Sequence, residues 1–163
     1  MRNILRALCA LSIVALFSVP CTAQDFARKS LRGLDAVSVL VEDLDSQIER
    51  DGLSASQIKT DVELRLRRNG IKVDDNSRNY LDVFVKVLKA QPPGPRGYAY
   101  SIDVTVIQPA LLERDKSPVP LATTWQAGVL GTLSPESLRD IRGFVLDYVD
   151  KFINDYLAVN PKQ

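Results

Sequence analysis

The chain has 163 residues, 21 of them basic and 20 acidic, for a formal charge of +1, and it contains no histidine. That balance excludes a global electrostatic attraction to nucleic acid or to an anionic membrane. With no histidine, and with Cys9 and Cys21 both in the N-terminal segment, imidazole relays, cysteine nucleophiles and nitrogen or sulfur ligand sets for a metal are not expected in the folded part.

The first residues read as an export signal. Arg2 and Arg6 form the basic n-region, and residues 8–19 form an apolar h-region too short to span a membrane. Cys21 and Ala23 put small residues at −3 and −1, so residues 1–23 are expected to be a cleaved signal peptide with Gln24 as the new N-terminus. A rival reading makes Cys21 the acylated residue of a lipoprotein signal, which Pro20 directly before it fits badly. No second apolar run follows, so no transmembrane segment is expected after cleavage.

Taking 23 residues from 163 leaves 140, residues 24–163, the size of one domain. Losing Arg2 and Arg6 lowers the basic count from 21 to 19 against 20 acids, a net charge of −1. The expected compartment is periplasmic or extracellular, yet the processed chain can form no disulfide and must be held by its core.

Residues 24–32 are polar and basic and read as a loose lead-in. Residues 34–42 read as the first strand, with Val37, Val39 and Val41 on one face. After a turn-rich stretch to Gly52 comes the clearest element, an amphipathic helix. Ser54 and Gln57 are spaced as a capping box, and Leu53 and Ile58 as a hydrophobic staple. Ile58, Val62 and Leu66 mark one face, Asp61/Arg65 and Glu63/Arg67 are ion-pair spacings, and Asn69-Gly70 ends the helix. Residues 71–73 make a short strand, expected to run parallel to the first through the helical crossover.

The strand at residues 80–89 alternates Leu81, Val83, Val85 and Val87 with Tyr80, Asp82, Phe84, Lys86 and Leu88. A proline-rich connection at 91–97 leads to a strand at 98–107 with Tyr98, Tyr100, Ile102, Val104 and Val106 together. Residues 109–120 read as a long loop. The last strand, 121–130, sets Leu121, Trp125 and Val129 against Ala122, Thr124 and Gln126. Ser134-Pro135-Glu136 opens the second helix, whose stripe runs Leu138, Ile141, Val145, Tyr148, Val149, Phe152 and Tyr156. The expected fold is α+β: one mainly antiparallel sheet in the order β-α-β-β-β-β-α, with two helices on one face.

No G-x-S-x-G, P-loop or G-x-G-x-x-G is present. The carboxylates fall in helix ion pairs, turns and polar strand positions, where a solvated structural role outweighs acid–base catalysis. No catalytic residue, metal site or cofactor is therefore expected. Arg65, Arg67, Arg68 and Lys72 form the densest basic patch, a candidate anion contact whose bland reading is a solvated helix end. Trp125, Tyr98 and Tyr100 are in phase with the core. The second sheet face is more informative. Leu40, Phe84, Leu88 and Leu130 alternate there with charged and hydroxyl residues and have no helix left to cover them, and Leu111 and Leu112 in the loop add to the apolar surface.

Four segments carry a resemblance: LRGLDAVSVLVEDL, GLSASQIKTDVELRLRRNGIKV, TTWQAGVLG and FVLDYVDKFINDYLAVNPK. Together they resemble a group of small exported bacterial proteins of unassigned activity. The element order is similar to that of envelope domains such as the TolB N-terminal domain and LptE. What the resemblance implies is a binding or assembly module with helices on one side of a sheet. The functional expectation is a non-enzymatic periplasmic domain that binds an envelope protein, or a second copy of itself, through the open face. The alternative is a small-molecule or lipid-binding protein with a cleft between helices and sheet.

Overall fold

The computed structural model describes residues 22–90 and 96–161. The predicted signal segment up to residue 21 and most of the proline-rich connection lie outside the described residues.

Helix α1 spans Thr22–Lys29, β1 Ala36–Val41, α2 Ser46–Arg50 and α3 Ala55–Arg68. They are followed by β2 (Lys72–Val73), β3 (Tyr80–Lys89), β4 (Tyr98–Leu111) and β5 (Pro118–Leu133). A 3-10 turn at Pro135–Asp140 then leads into α4, Ile141–Val159. The class is α+β, with four helices among the described residues rather than the two expected. Neither added helix has enough apolar positions to show a period. α1 replaces the expected loose lead-in: Asp25 in its first turn and Arg28 and Lys29 in its last suit the helix dipole, and Leu31 just beyond it is fully buried. α2 lies in the turn-rich stretch, where the Asp45 side chain accepts from the Gln47 N–H at 2.7 Å and Ile48 is buried.

α3 buries Ile58, Val62 and Leu66, as its spacing predicts. At its C-terminus Gly70 takes a φ of +81°; its N–H donates to Arg67 O and that of Ile71 to Leu66 O, both at 3.0 Å. This is a Schellman closure, completed by the burial of Ile71 beside Leu66. The N-terminus differs from expectation. Ser54 Oγ lies 2.9 Å from Ser56 Oγ instead of capping, and the Gln57 side chain accepts from Arg142 Nη1 at 3.0 Å. Of the two expected ion pairs, Glu63–Arg67 closes at 2.9 Å. Asp61 binds Arg142 of α4 at 2.6 Å, and Arg65 reaches Asp150 at 3.5 Å. A bidentate-capable guanidinium from a packed neighbour outcompetes a mobile side chain one turn away on the same helix.

The five strands run in the order β2-β1-β3-β4-β5. β1 is parallel to β2, as expected, but also to β3, while β3/β4 and β4/β5 are antiparallel. The sheet is therefore mixed rather than mainly antiparallel. The cause is a step in the chain. β2 is two residues long, and the connection after it crosses β1: Asp74 N–H donates to Val37 O on one side, and Ser38 N–H donates to Asn79 O on the other. Ser77 Oγ and Asn79 Nδ2 both donate to Ala36 O as the connection passes, and Ala36 and Ser38 are buried. A chain that only steps sideways over a strand resumes in the same direction, so β3 is parallel to β1.

Half of the expected loop at 109–120 is strand, and the turn is confined to residues 112–117. β4 and β5 extend as one long hairpin, and Leu112 and Ser117 close its turn through a 2.9 Å backbone hydrogen bond. Register shifts accommodate extra residues in β5: Val106 pairs with Trp125 but Ile107 pairs with Thr123, leaving Thr124 unpaired in a bulge. The bulge reverses the side-chain phase. Leu121, expected in the core with Trp125 and Val129, is instead exposed on the other side. Thr124 Oγ1 accepts from Gln108 Nε2 at 2.9 Å, and Thr124 O accepts from Ser30 Oγ at 3.1 Å, tying β5 to the end of α1.

The helices meet the sheet on the face of Val37, Val39, Leu81, Val83, Val85, Ile102, Val104, Val106 and Trp125. From α4 come Ile141, Val145, Val149, Phe152 and Ile153, all buried. Trp125 packs edge-on against Phe152 with ring centroids 5.5 Å apart, and its Nε1 donates to Asp155 Oδ2 at 2.9 Å. Arg28 Nε holds the other oxygen of Asp155 at 2.8 Å. Trp125→Ala removes both the packing and the hydrogen bond, so urea unfolding should show a loss of about 3–5 kcal/mol. Trp125→Phe should recover part of that loss, since it keeps an aromatic ring against Phe152 but is smaller than the indole and lacks the Nε1 donor.

Candidate functional site

Cross-strand register assembles the uncovered face, because directly paired residues project to the same side. Four rows cross β3, β4 and β5 from one end to the other. Asp82 pairs with Thr105 and Thr105 with Gln126; Phe84 pairs with Asp103 and Asp103 with Gly128. Lys86 pairs with Ser101 and Ser101 with Leu130; Leu88 pairs with Ala99 and Ala99 with Thr132. β1 adds Leu40 beside Asp82.

Leu40 is 43 % exposed, Leu88 58 %, Leu111 67 % and Leu130 80 %. Phe84 is half-buried, with Asp103 directly across from it and Asp82 and Lys86 on either side along β3. Five of the six residues expected on this surface are therefore on it. Leu112 is the exception: it sits in the hairpin turn and is half-buried. Leu121, missed from the sequence because its phase depends on the bulge, joins the face at 63 % exposure. The apolar side chains are interleaved with polar ones rather than fused into one patch.

The charges on this face have few partners. Asp103 accepts from Ser101 Oγ and Gln126 Nε2, both at 3.2 Å. Burial pushes the Asp82 carboxyl above its ordinary value, and the nearby Glu42 carboxylate adds to the shift. Among the described residues, Asp82, Asp103, Glu42 and Lys86 form no salt bridge.

The opposite situation holds on the helix side. In the basic patch, Arg67 is paired with Glu63, Arg65 with Asp150, and Lys72 with Asp74 at 3.3 Å. Arg68 alone of the four has no carboxylate within ion-pair distance among the described residues. Tyr98 is buried, and its Oη donates to Asp51 Oδ2 at 2.7 Å, where Lys89 Nζ also donates at 2.8 Å. The hydrogen bond from Lys89, followed by that from Tyr98, holds the Asp51 carboxyl below its ordinary value. Tyr100 is half-buried and stacks on Phe144, with centroids 5.7 Å apart. The aromatic residues thus serve packing.

A surface groove of about 580 Å³ runs between α1, α4 and the β5 edge, lined by Gln24, Ala27, Thr123, Gln126, Lys151 and Asn154 among others. It is open and lined by polar and apolar surface in about equal measure, whereas the layer between helices and sheet is filled by the buried residues named above. Among the described residues no helix is long and apolar enough to cross a membrane. In comparison with known proteins, the chain matches no protein-family model and no curated protein.

The raised Asp82 carboxyl has a consequence for stability. Its folded-state pKa lies above the unfolded value, so stability falls as pH rises between the two and stays reduced above them. Asp82→Asn should therefore raise the urea midpoint at pH 7, and the gain over the parent protein should vanish once the pH is below the ordinary aspartate value. A gain that persisted unchanged at low pH would show that the charge is not its source.

Proposed function

We propose that this protein is an exported, non-enzymatic domain of the cell envelope that binds a partner protein through its open sheet face. One observation carries the reading. Among the described residues seven large hydrophobic side chains are exposed, and five of them, Leu40, Leu88, Leu111, Leu121 and Leu130, share that one face. Exposed leucines scattered at random need no explanation, but concentration on the one face that no helix covers does. Phe84 is half-buried among them, and Asp82, Asp103 and Lys86, which form no salt bridge among the described residues, supply polar groups that fix register and choice of partner. The alternative, a ligand cleft between helices and sheet, has less support because that layer is filled by close-packed aliphatic and aromatic side chains.

Phe84→Ser combined with Leu88→Ser tests the reading. The pair should lower stability by about 1–2 kcal/mol, because Phe84 is only half-buried and Leu88 mostly exposed. The folded variant should no longer capture, from envelope extract, the protein that the parent retains. Leu64→Ser, on the outer side of α3, should leave capture unchanged. Equal capture by all three proteins would refute the role of the face.

Export has its own test. The n-region, the h-region and Ala23 support cleavage before Gln24. Such a cut would trim the first two residues of α1 and keep Arg28, Ser30 and Leu31, which attach α1 to the rest of the fold. Intact mass of the exported protein should correspond to residues 24–163. A mass retaining residues 1–23, or one starting at an acylated Cys21, would overturn the proposal.

A further inference from the structure

β5 is a free edge: β4 occupies one side, and among the described residues no strand pairs with the other. Its two halves are built differently. The first carries Pro118 and Pro120, both register shifts, and the hydrogen bond from Ser30 to Thr124 O. Proline, bulges and covering contacts are the usual means of closing an edge. The second half, residues 125–133, pairs regularly with β4 and contains no proline. Nor does it contain a charge: no Asp, Glu, Lys or Arg occurs anywhere from Ser117 to Ser134. A regular, charge-free edge is the kind that sheets ordinarily avoid leaving open.

The phase of the ladder identifies the free backbone groups. Ala90 N–H donates to Gly97 O, so odd-numbered residues of β4 bond towards β3 and even-numbered ones towards β5. Ile102 therefore bonds with Val129, and Val104 with Ala127. It follows that the N–H and C=O groups of Gln126, Gly128, Leu130 and Thr132 point away from the sheet.

We propose that this half-edge pairs with itself, so that residues 125–133 of a second copy add antiparallel and join two sheets into one. Self-pairing about a two-fold axis sets residues near the axis beside their own copies, so a charge there would meet the same charge, and freedom from charge around Val129 favours the contact. A strand added by a different protein would impose no such preference. An axis at Val129 engages all four outward residues, setting Gln126 opposite Thr132 of the second copy and Gly128 opposite its Leu130. The sizes are complementary: Leu130, the most exposed of the large apolar side chains, meets a residue with no side chain, and two polar side chains meet each other. On the helix side, the same axis sets Ala127 opposite Gly131. The Ser30 contact lies on the other half of the strand; α1 borders this half only across the open groove at Trp125, Gln126 and Ala127, and none of residues 128–133 lines that groove.

Sedimentation velocity of the purified exported protein tests the inference, with far-UV circular dichroism confirming the fold of each variant. The parent protein should sediment as a concentration-dependent dimer. Leu130→Lys places two like charges near the axis and should weaken dimerisation by about tenfold or more. Thr132→Pro removes an outward N–H from each copy without touching the β4 ladder and should weaken it too. Leu88→Lys, on the same face but two strands from the edge, should dimerise like the parent. A parent protein that is monomeric at about 100 μM, or a Leu130→Lys variant that dimerises as strongly as the parent, would overturn the proposal. Because Leu88→Lys leaves the edge intact, loss of dimer in that variant would also overturn it, by assigning self-association to the open face instead.

Discussion

The fold rests on the burial of one valine-rich sheet face under α3 and α4. Val37, Val39, Leu81, Val83, Val104 and Val106 are essentially inaccessible, and so are Ile58, Val62, Leu66, Val149 and Phe152 above them. Each such side chain contributes about 1.5–3 kcal/mol by leaving water. The described residues hold no cysteine, so no disulfide assists. The two long helices supply enough apolar surface for one face of five strands, and this one-sidedness leaves the other face of the sheet uncovered.

Around that layer, polar side chains fasten the parts that hydrophobic burial cannot orient. Asp155 holds Trp125 and Arg28, joining α4, β5 and α1. Asp61 and Gln57 hold Arg142, joining α3 to α4. Asp51 holds Lys89 and Tyr98, joining the α2–α3 turn to the β3–β4 hairpin. Asn160 spans the other end, donating to Leu31 O at 2.8 Å and accepting from Gly33 N–H at 2.7 Å. These contacts are directional and concentrated at element ends, where they set the angles between elements more than they add to total stability.

The uncovered surfaces differ in chemistry, and this separates their proposed roles. The open face mixes exposed leucines with carboxylates and a lysine that have no salt-bridge partner, a composition suited to discriminating among partners. The free half of β5 has neither charge nor interruption, which suits backbone pairing between identical strands. An assembly built through the edge would leave both open faces accessible on one side of a continuous sheet. Two copies of the partner surface would then be presented together, and simultaneous engagement would strengthen a weak individual contact.

How much of this was legible in the sequence depended on how local each signal was. The α3 boundaries, the stripe of α4, the alternation of β3 and the Asn69-Gly70 stop were all readable, because a period or a cap is set by neighbours within a few residues. So was the membership of Leu40, Phe84, Leu88 and Leu130 in one face, since strand phase fixes it until a bulge intervenes. The bulge at Thr124 is invisible in composition, and it moved Leu121 out of the core. The parallel placement of β3 beside β1 was equally hidden, because it depends on where the six residues 74–79 cross rather than on what β3 contains. The same holds for the partners of Asp51, Asp61 and Asp155. Each is a carboxylate that in sequence looks solvated or locally paired, and each is claimed by a residue at least 30 positions away. Local propensity determined which segments became helix or strand; strand order, bulge position and charge partners were decided by packing between segments distant in the chain, where the energy differences lie in contacts that no window of sequence contains.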